Sequence, residues 1–229
     1  MTIVQKYLGV LSEYLQSLED ESDPINAAAE ILAGAVREDR LIHVFGTDPY
    51  SASSSDEFFF KAGGLVNVSP IYDPTFSFAH GASRAGMCQA LNGLSPAILD
   101  YYEYIEQGDP IVVIGSDPQN IVFLQALARA REKGLKLIAI APFDRGEGGR
   151  LDADAAISTR APEVDTLLSA SGVLTGGVAT ALASAVINMI VAATLEKIEN
   201  PTVWSGKRLA DCDANEALIA KYIHRVKHL

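Results

Sequence analysis

The sequence has few cysteines and no long uninterrupted apolar segment. Only Cys88 and Cys212 occur among its 229 residues, and no window approaches the roughly 18 consecutive apolar residues that predict a membrane-spanning helix. The first residues lack the basic region and apolar core of a signal peptide. Two cysteines without such a signal favour unreactive thiols in a reduced compartment over a disulfide framework. We therefore expect a cytoplasmic protein without a membrane contact.

Positive charge is also scarce. Lys and Arg number 18 against 29 Asp and Glu, which gives a formal net charge of −11. This balance disfavours nucleic acid as a partner, although a small phosphate could still bind at a local helix terminus. No set of His, Cys and Asp has metal-ligand spacing, and no Gly-x-Ser-x-Gly elbow or glycine-rich nucleotide loop occurs. We expect neither a metal nor a cofactor.

Apolar segments alternate in length and period along the chain, as in α/β proteins. This pattern predicts a parallel sheet with right-handed crossovers and helices on both faces. The chain is expected to be one domain, 1–229, with N-terminal helices at 1–38, a sheet core at 39–199 and a C-terminal loop and helix at 200–229. Strands are predicted at 41–46, 65–68, 111–114, 135–141 and 155–158. Helices are predicted at 2–20, from 24 to about 36, and at 51–61, 97–106, 119–133, 178–197 and 214–225.

Two similar turns follow the first and third predicted strands. Residues 41–49 and 111–118 each read as an apolar run, then Gly, a hydroxyl residue, Asp and Pro. Such turns lie at the carboxyl edge of a parallel sheet, where ligands usually bind. Asp48 and Asp117 would each accept hydrogen bonds from helix N–H groups and place negative charge where a phosphate would lie. For an isolated Asp-Pro, helix capping without any ligand is the more usual explanation, and it is the repetition of the turn that suggests a ligand site.

Other polar residues near these turns could carry chemistry. Four serines after the first turn could donate hydroxyl groups to a phosphate or sugar, or could form only a flexible loop. Glu57 and His80 are possible acid–base groups. Residues 172–177 could begin another anion-facing helix or form a simple capped turn. His43 reads as a core histidine, and His228 as a favourable cation near a helix end.

Three segments and the C-terminal residues resemble a known family. Residues 42–47 (IHVFGT), 60–65 (FKAGGL) and 134–139 (GLKLIA), with the ending 215–229, resemble the sugar isomerase (SIS) domain, in particular a bacterial group related to phosphoheptose isomerases. The resemblance implies a flavodoxin-like five-stranded parallel sheet and a homodimer or homotetramer. It also implies a small-molecule ligand, a sugar or sugar phosphate, held by turns rich in Ser and Thr.

The two turns depart from the family pattern. The family reads Gly-Thr-Gly-His-Ser at the first turn and Ser-Asn-Ser-Gly-x-Asn at the second, whereas this chain has Gly-Thr-Asp-Pro-Tyr at 46–50 and Gly-Ser-Asp-Pro-Gln-Asn at 115–120. The resemblance implies Glu57 and His80 as the catalytic pair. The implied substrate-binding residues are Gly46, Thr47, Ser51, Ser53, Ser54, Ser55, Ser116, Asp117, Asn120, Thr175 and Thr180.

Two functions remain open from the sequence. The first is a phosphosugar-binding protein that interconverts aldose and ketose phosphates, with Glu57 as the base and His80, of the same or a neighbouring subunit, as its partner. The second is a degenerate, non-catalytic SIS protein that binds a non-phosphorylated ligand or acts as an oligomerising regulatory or interaction partner. The paired Asp-Pro turns favour the second on physical grounds, and the family resemblance favours the first.

Overall fold

The structure is a computed structural model that describes residues 1–144, 151–206 and 213–229; Cys212 lies outside these residues. The helices are α1 (Ile3–Ser17), α2 (Ser22–Arg37), α3 (Pro49–Ser55), α4 (Ala82–Cys88), α5 (Leu94–Tyr101), α6 (Ile121–Glu132), α7 (Ala179–Glu196) and α8 (Asp213–Tyr222). The strands are β1 (Ile42–Gly46), β2 (Val68–Pro70), β3 (Pro110–Ile114), β4 (Lys136–Ala141), β5 (Ala155–Ser158), β6 (Leu168–Ala170) and β7 (Val173–Thr175). Short 3-10 helices lie at Leu18–Glu21, Pro74–Phe76 and Phe78–His80.

Five strands form one parallel sheet in the order β2-β1-β3-β4-β5. This flavodoxin-like order confirms the predicted fold class. The connection out of β1 leads to one edge of the sheet and the connection out of β3 to the other, so a crevice opens between their carboxyl ends. Gly46 pairs with Ile114 in the register of these two strands. The turns after β1 and β3 therefore lie side by side.

Helices cover both faces of the sheet, so its side chains are buried on both sides. Val44, Val112 and Ile138 point to one face and pack with the buried sides of α2 and α7. Phe45 and Val113, one position along, point to the other face and pack with α5 and α6. Burial on both sides explains why these strands are continuous apolar runs rather than alternating ones.

Several predicted elements differ from the structure. The second strand comes later than expected, at 68–70, because Leu65 instead forms an antiparallel bridge with Val203. Pro70 is tolerated there because β2 is an edge strand. The helix expected at 97–106 is α5, which begins at Leu94 and ends at Tyr101. The turn expected at 172–177 belongs to an antiparallel hairpin of β6 and β7.

Helix α7 is long and apolar enough to cross a membrane by length and composition alone. In the structure it packs against α2, and its buried side contributes to the core beside the sheet. Its opposite side exposes small or polar residues such as Ala181, Asn188 and Ala192. Core helices of soluble proteins meet the same criterion, so the length and composition of this one helix are weak evidence for a membrane span.

Candidate functional site

The carboxylate of Asp48 fills the crevice between the turns after β1 and β3. Asp48 is the N-cap of α3, and its Oδ1 accepts hydrogen bonds from the backbone N–H groups of Tyr50 (3.0 Å) and Ser51 (3.1 Å). Its Oδ2 accepts from Ser51 Oγ (2.6 Å) and from the backbone N–H of Ser116 (2.8 Å). Only 5% of Asp48 is exposed. The chain thus supplies its own anion to donors that both turns direct into the crevice.

A second carboxylate lies at the beginning of α7. Asp165 Oδ1 accepts a hydrogen bond from the backbone N–H of Val178 (2.6 Å), and both of its oxygens lie near the N–H of Ala179 (3.3 and 3.2 Å). The space between the starts of α3 and α7 is a cavity of about 30 Å³, which has room for very few water molecules. Four of the predicted binding residues line this smaller cavity: Ser51, Ser54, Ser116 and Thr180.

The turn after β3 is not equivalent to the turn after β1, although the sequence motif is the same. The helix expected from residue 119 begins at Ile121, and its N-cap is Asn120, whose side chain accepts from the N–H of Val122 at 2.9 Å. Asp117 is exposed, and its carboxylate accepts a hydrogen bond only from the N–H of Gln119, at 2.8 Å, among the described contacts. The expectation that Asp117 caps the helix is therefore wrong, and only Asp48 occupies the crevice.

Most hydroxyl groups near the first turn are bound to the backbone. Thr47 Oγ1 donates to the carbonyl of Ile114 (3.0 Å), which ties the two turns together. Ser54 Oγ donates to the carbonyl of Tyr50 (3.1 Å), and Ser55 Oγ to that of Ala52 (2.6 Å). The hydroxyls of Ser54 and Ser55 thus have acceptors within α3, and that of Thr47 has one at the end of β3. A ligand would have to compete for them.

The two predicted acid–base residues, Glu57 and His80, do not line the same cavity. Glu57 Oε2 accepts hydrogen bonds from Lys61 and from Asn188 Nδ2, the latter at 3.0 Å. The hydrogen bond from Lys61 lowers the pKa of the Glu57 carboxyl, with Asn188 adding to the effect. A carboxylate with a lowered pKa is a weaker base. His80 is exposed and lines a different space, the larger cavity described next.

The larger cavity, of about 900 Å³, lies on the other side of α3. Its walls are the turn at Gly46, one side of α3 and the segment from Ile71 to His80. Gly46 is required there because a Cβ would meet Ala52 N at 2.3 Å. Among the predicted site residues, Gly46, Ser53 and His80 line this cavity. The rest of the wall includes five aromatic side chains: Phe59, Phe60, Tyr72, Phe76 and Phe78.

Polar groups of the larger cavity form a hydrogen-bonded chain. Tyr72 OH donates to Asp56 Oδ1 at 2.6 Å. The hydroxyl of Tyr102 lies 2.9 Å from the N–H of Tyr72, 2.8 Å from its carbonyl and 2.9 Å from His228 Nε2. Burial raises the pKa of Tyr102 to about 12, and burial followed by the hydrogen bond to Asp56 raises that of Tyr72. Both phenols therefore stay protonated near neutral pH.

The sequence did not predict the residues that form this hydrogen-bonded chain. Asp56, Tyr72 and His228 line the cavity, but only Asp56 stands beside a residue that the sequence singled out. His228 was interpreted as a helix-terminal cation, whereas its ring lies 5.1 Å from that of Tyr72. One signal in the sequence was available: Tyr72 and Asp73 follow the second strand at the carboxyl edge of the sheet.

The remaining predicted residues line neither cavity. Thr47, Ser55, Glu57, Asp117 and Asn120 have the local contacts given above. Thr175 is exposed at the end of β7. Within residues 1–144, 151–206 and 213–229, no three His, Cys, Asp or Glu side chains form a group that could hold a metal ion.

Comparisons with known proteins agree with this architecture. The family model for the SIS domain matches residues 6–142. Proteins of the UPF0309 group from Brucella canis and Brucella suis biovar 1 are each 30% identical over 241 residues, with 99% of both chains covered.

Two solved structures have the same fold. The phosphoheptose isomerase from Neisseria gonorrhoeae superposes with a TM-score of 0.59 at 16% identity, covering 85% of this chain and 96% of that one. The phosphoheptose isomerase from Francisella tularensis gives 0.54 at 11% identity, covering 86% and 98%. At these identities the likeness concerns the fold. The family match and the full-length relatives together establish that the chain belongs to the SIS domain family.

Proposed function

We propose that this chain is a SIS-domain protein that binds a small carbohydrate derivative without placing a phosphate group in the crevice between β1 and β3. The observation that carries the proposal is the hydrogen bonding of Asp48 to Ser51 and Ser116. A phosphate entering the crevice would lose these donors to the carboxylate and would meet its negative charge at close range. A non-phosphorylated ligand avoids this repulsion.

The larger cavity is the proposed ligand site. Its volume of about 900 Å³ is within the range of small-molecule sites, and a mainly apolar wall with a few polar groups is typical of them. Aromatic rings such as Tyr72 and Phe78 can pack against the C–H face of a sugar. Asp56 and Asp73 can accept hydrogen bonds from its hydroxyl groups. No Lys or Arg is among the described residues that line the cavity, so a phosphate would lack a cation there.

A role in binding rather than isomerisation is supported by the separation of the expected acid–base residues. Aldose–ketose isomerisation transfers a proton next to a carbonyl and needs groups within hydrogen-bond reach of one substrate. Glu57 is held by Lys61 and Asn188, outside the cavity that His80 lines. The proposal therefore assigns neither residue a catalytic role.

Isothermal titration calorimetry with matched sugars tests the proposal. Unphosphorylated aldoses, ketoses and amino sugars would be compared with their phosphate esters and with inorganic phosphate. We expect binding of at least one unphosphorylated sugar, weaker binding of its phosphate ester and no response to inorganic phosphate. His80→Ala at the rim of the larger cavity should change the affinity. Asp117→Ala, an exposed turn residue outside both cavities, is the control and should not.

The opposite pattern would overturn the proposal. If only phosphate esters bind, the crevice accepts phosphate despite Asp48. Proton NMR in deuterium oxide tests the chemistry, since isomerisation would exchange the hydrogen next to the carbonyl of a ketose phosphate. Exchange faster than in a protein-free sample would restore the isomerase assignment. Light scattering on the same samples measures the predicted dimer or tetramer.

A further inference from the structure

We propose that His228 is a specificity-determining residue of the larger cavity, with its Nδ1 serving as a hydrogen-bond acceptor for a ligand hydroxyl. The inference rests on the proposed ligand site and adds a residue that neither the sequence pattern nor the comparisons assign. It follows from how the C-terminal residues are anchored, which hydrogen bond His228 makes and which ring nitrogen stays available.

The segment that carries His228 is firmly attached to the domain. Asp39, at the end of α2, accepts hydrogen bonds from Lys221 Nζ (2.9 Å), Tyr222 OH (2.8 Å) and Arg225 (3.0 Å). Val226 is 2% exposed and packs with the cluster around Trp204. These contacts on both sides of the turn after α8 fix where His228 meets the cavity.

The hydrogen bonds of Tyr102 determine the tautomer of His228. The carbonyl of Tyr72 can only accept, so the single phenolic proton of Tyr102 is donated to it, at 2.8 Å. The same phenolic oxygen accepts from the N–H of Tyr72. His228 Nε2, 2.9 Å away, must then be the donor to this oxygen. In a neutral ring this leaves Nδ1 without a proton.

The ring is neutral near physiological pH, and Nδ1 remains accessible. Burial, followed by the nearby charge of Lys227, lowers the pKa of His228. Among the described residues, the buried side-chain N and O atoms without a hydrogen bond are His43 Nδ1 and Asn67 Oδ1. His228 Nδ1 has no partner among the described contacts and is not in this set. Because an atom without a hydrogen bond would belong to that set if it were fully buried, His228 Nδ1 is partly accessible. His228 itself lines the cavity.

An acceptor at this position matches the other polar groups of the cavity. The carboxylates of Asp56 and Asp73 also accept hydrogen bonds. A ligand with several hydroxyl donors can satisfy all three, whereas a ligand with acceptors only would leave them unpaired. An unpaired polar group in a binding site lowers affinity strongly. The arrangement selects for polyhydroxyl ligands with a donor near His228.

Long-range proton–nitrogen NMR of the histidine rings tests the tautomer without any ligand. We expect the His228 proton on Nε2 and an unprotonated Nδ1 near neutral pH. A proton on Nδ1 would overturn the inference, whatever sugar binds. His228→Phe, which removes the signal, assigns the resonance.

Two amide variants test the contact with ligand. Gln places its amide near the Nε2 position and can keep the donor to Tyr102 while losing the Nδ1 acceptor. Asn places an oxygen near Nδ1 and loses the contact with Tyr102. For the sugar that binds wild type best in the calorimetric panel, we expect His228→Gln to weaken binding by about 2- to 10-fold and His228→Asn to weaken it less.

The outcomes separate the inference from the proposed function. Equal affinities for wild type and His228→Gln would overturn the role of His228 while leaving the sugar-binding proposal intact. If wild type binds none of the unphosphorylated sugars, the proposed function fails and the ligand contact fails with it. Circular dichroism of both variants verifies that each is folded.

Discussion

Replacement of Asp48 should destabilise the domain far more than replacement of Asp117, although both occupy the same motif. In Asp48→Ala the helix α3 loses its N-cap, which costs about 1 kcal/mol. The N–H of Ser116 also loses a partly buried hydrogen bond to a carboxylate (2.8 Å), which contributes about 1.5–3 kcal/mol. The free energy of unfolding should therefore fall by about 2.5–4 kcal/mol. For a chain of this length that corresponds to a Tm lower by about 5–15 °C.

Thermal unfolding followed by circular dichroism measures this difference. Asp117→Ala removes an exposed carboxylate with one local hydrogen bond, so its free energy of unfolding should change by about 0.5 kcal/mol or less. Asp48→Asn should be intermediate. Its oxygen can still accept from Tyr50 and Ser51, but its amide NH₂ would face the N–H of Ser116.

Adding phosphate to wild type and to Asp48→Ala shows whether Asp48 only caps α3 or also occupies an anion site. In Asp48→Ala the vacated donors are free, and phosphate should raise the Tm, with a stabilisation of about 2.7 kcal/mol at a concentration 100-fold above its Kd. Chloride at equal ionic strength controls for general salt effects. The reasoning is refuted if Asp48→Ala unfolds no more easily than Asp117→Ala. It is also refuted if phosphate stabilises wild type and Asp48→Ala equally.

Three further predictions test other parts of the structure. Gly46→Ala would place Cβ 2.3 Å from Ala52 N and should lower the free energy of unfolding by more than about 3 kcal/mol. Gly34→Ala, in an open position of α2, should instead raise it by about 0.5–1 kcal/mol; urea unfolding of both compares them. Because the pKa of folded His228 is lowered, the unfolded state binds more protons below pH 6.5, and stability should fall as the pH drops from about 7.5 to about 5. His228→Gln should show a smaller fall in the same urea experiment. Asp39→Ala should speed hydrogen exchange in α8 by removing the contacts to Lys221, Tyr222 and Arg225; Asp39→Asn, which tolerates the backbone angle φ of 52°, should have a smaller effect.

The sequence predicted the central strands and the edge strand β5 closely, and the other edge strand, β2, poorly. β1, β3 and β4 begin and end within about a residue of the predictions, since their continuous apolar runs have few alternatives. At the edge, Leu65 and Val68 are both apolar, and no local pattern reveals that Leu65 pairs with Val203. Register depends on partners distant in sequence.

The two Asp-Pro turns show a similar limit at the candidate site. In the second turn, Asp117 and Asn120 are both good N-cap residues. Packing decides between them: Val122 and Phe123 are fully buried, and Phe123 also lies against Gly115, where a Cβ would approach its ring to 2.5 Å. The helix therefore begins at Ile121, and Asp117 remains at the surface. Identical motifs alone could not predict this asymmetry.

The placement of His228 could not be predicted for a different reason. It contacts Tyr102, 126 residues earlier in the chain, and a C-terminal amphipathic pattern carries no information about where the segment docks. Its own position near a helix end suggested only a favourable charge. The structure instead buries part of the ring against two tyrosines, which favours the neutral form.

The charge arrangement around α3 connects the fold to the proposed ligand class. On one side of the helix, the carboxylate of Asp48 accepts hydrogen bonds from the donors that a phosphate would need. On the other, Asp56 and Asp73 line the larger cavity, and no Lys or Arg is among the described residues that line it. Both sides are therefore rich in acceptors and negative charge. A phosphosugar would be repelled at either position, whereas a neutral polyol finds acceptors for its hydroxyl groups and aromatic surface for its carbon skeleton. Under the proposed function, ligand selection in this chain would depend on hydrogen-bond donors rather than on a phosphate anchor.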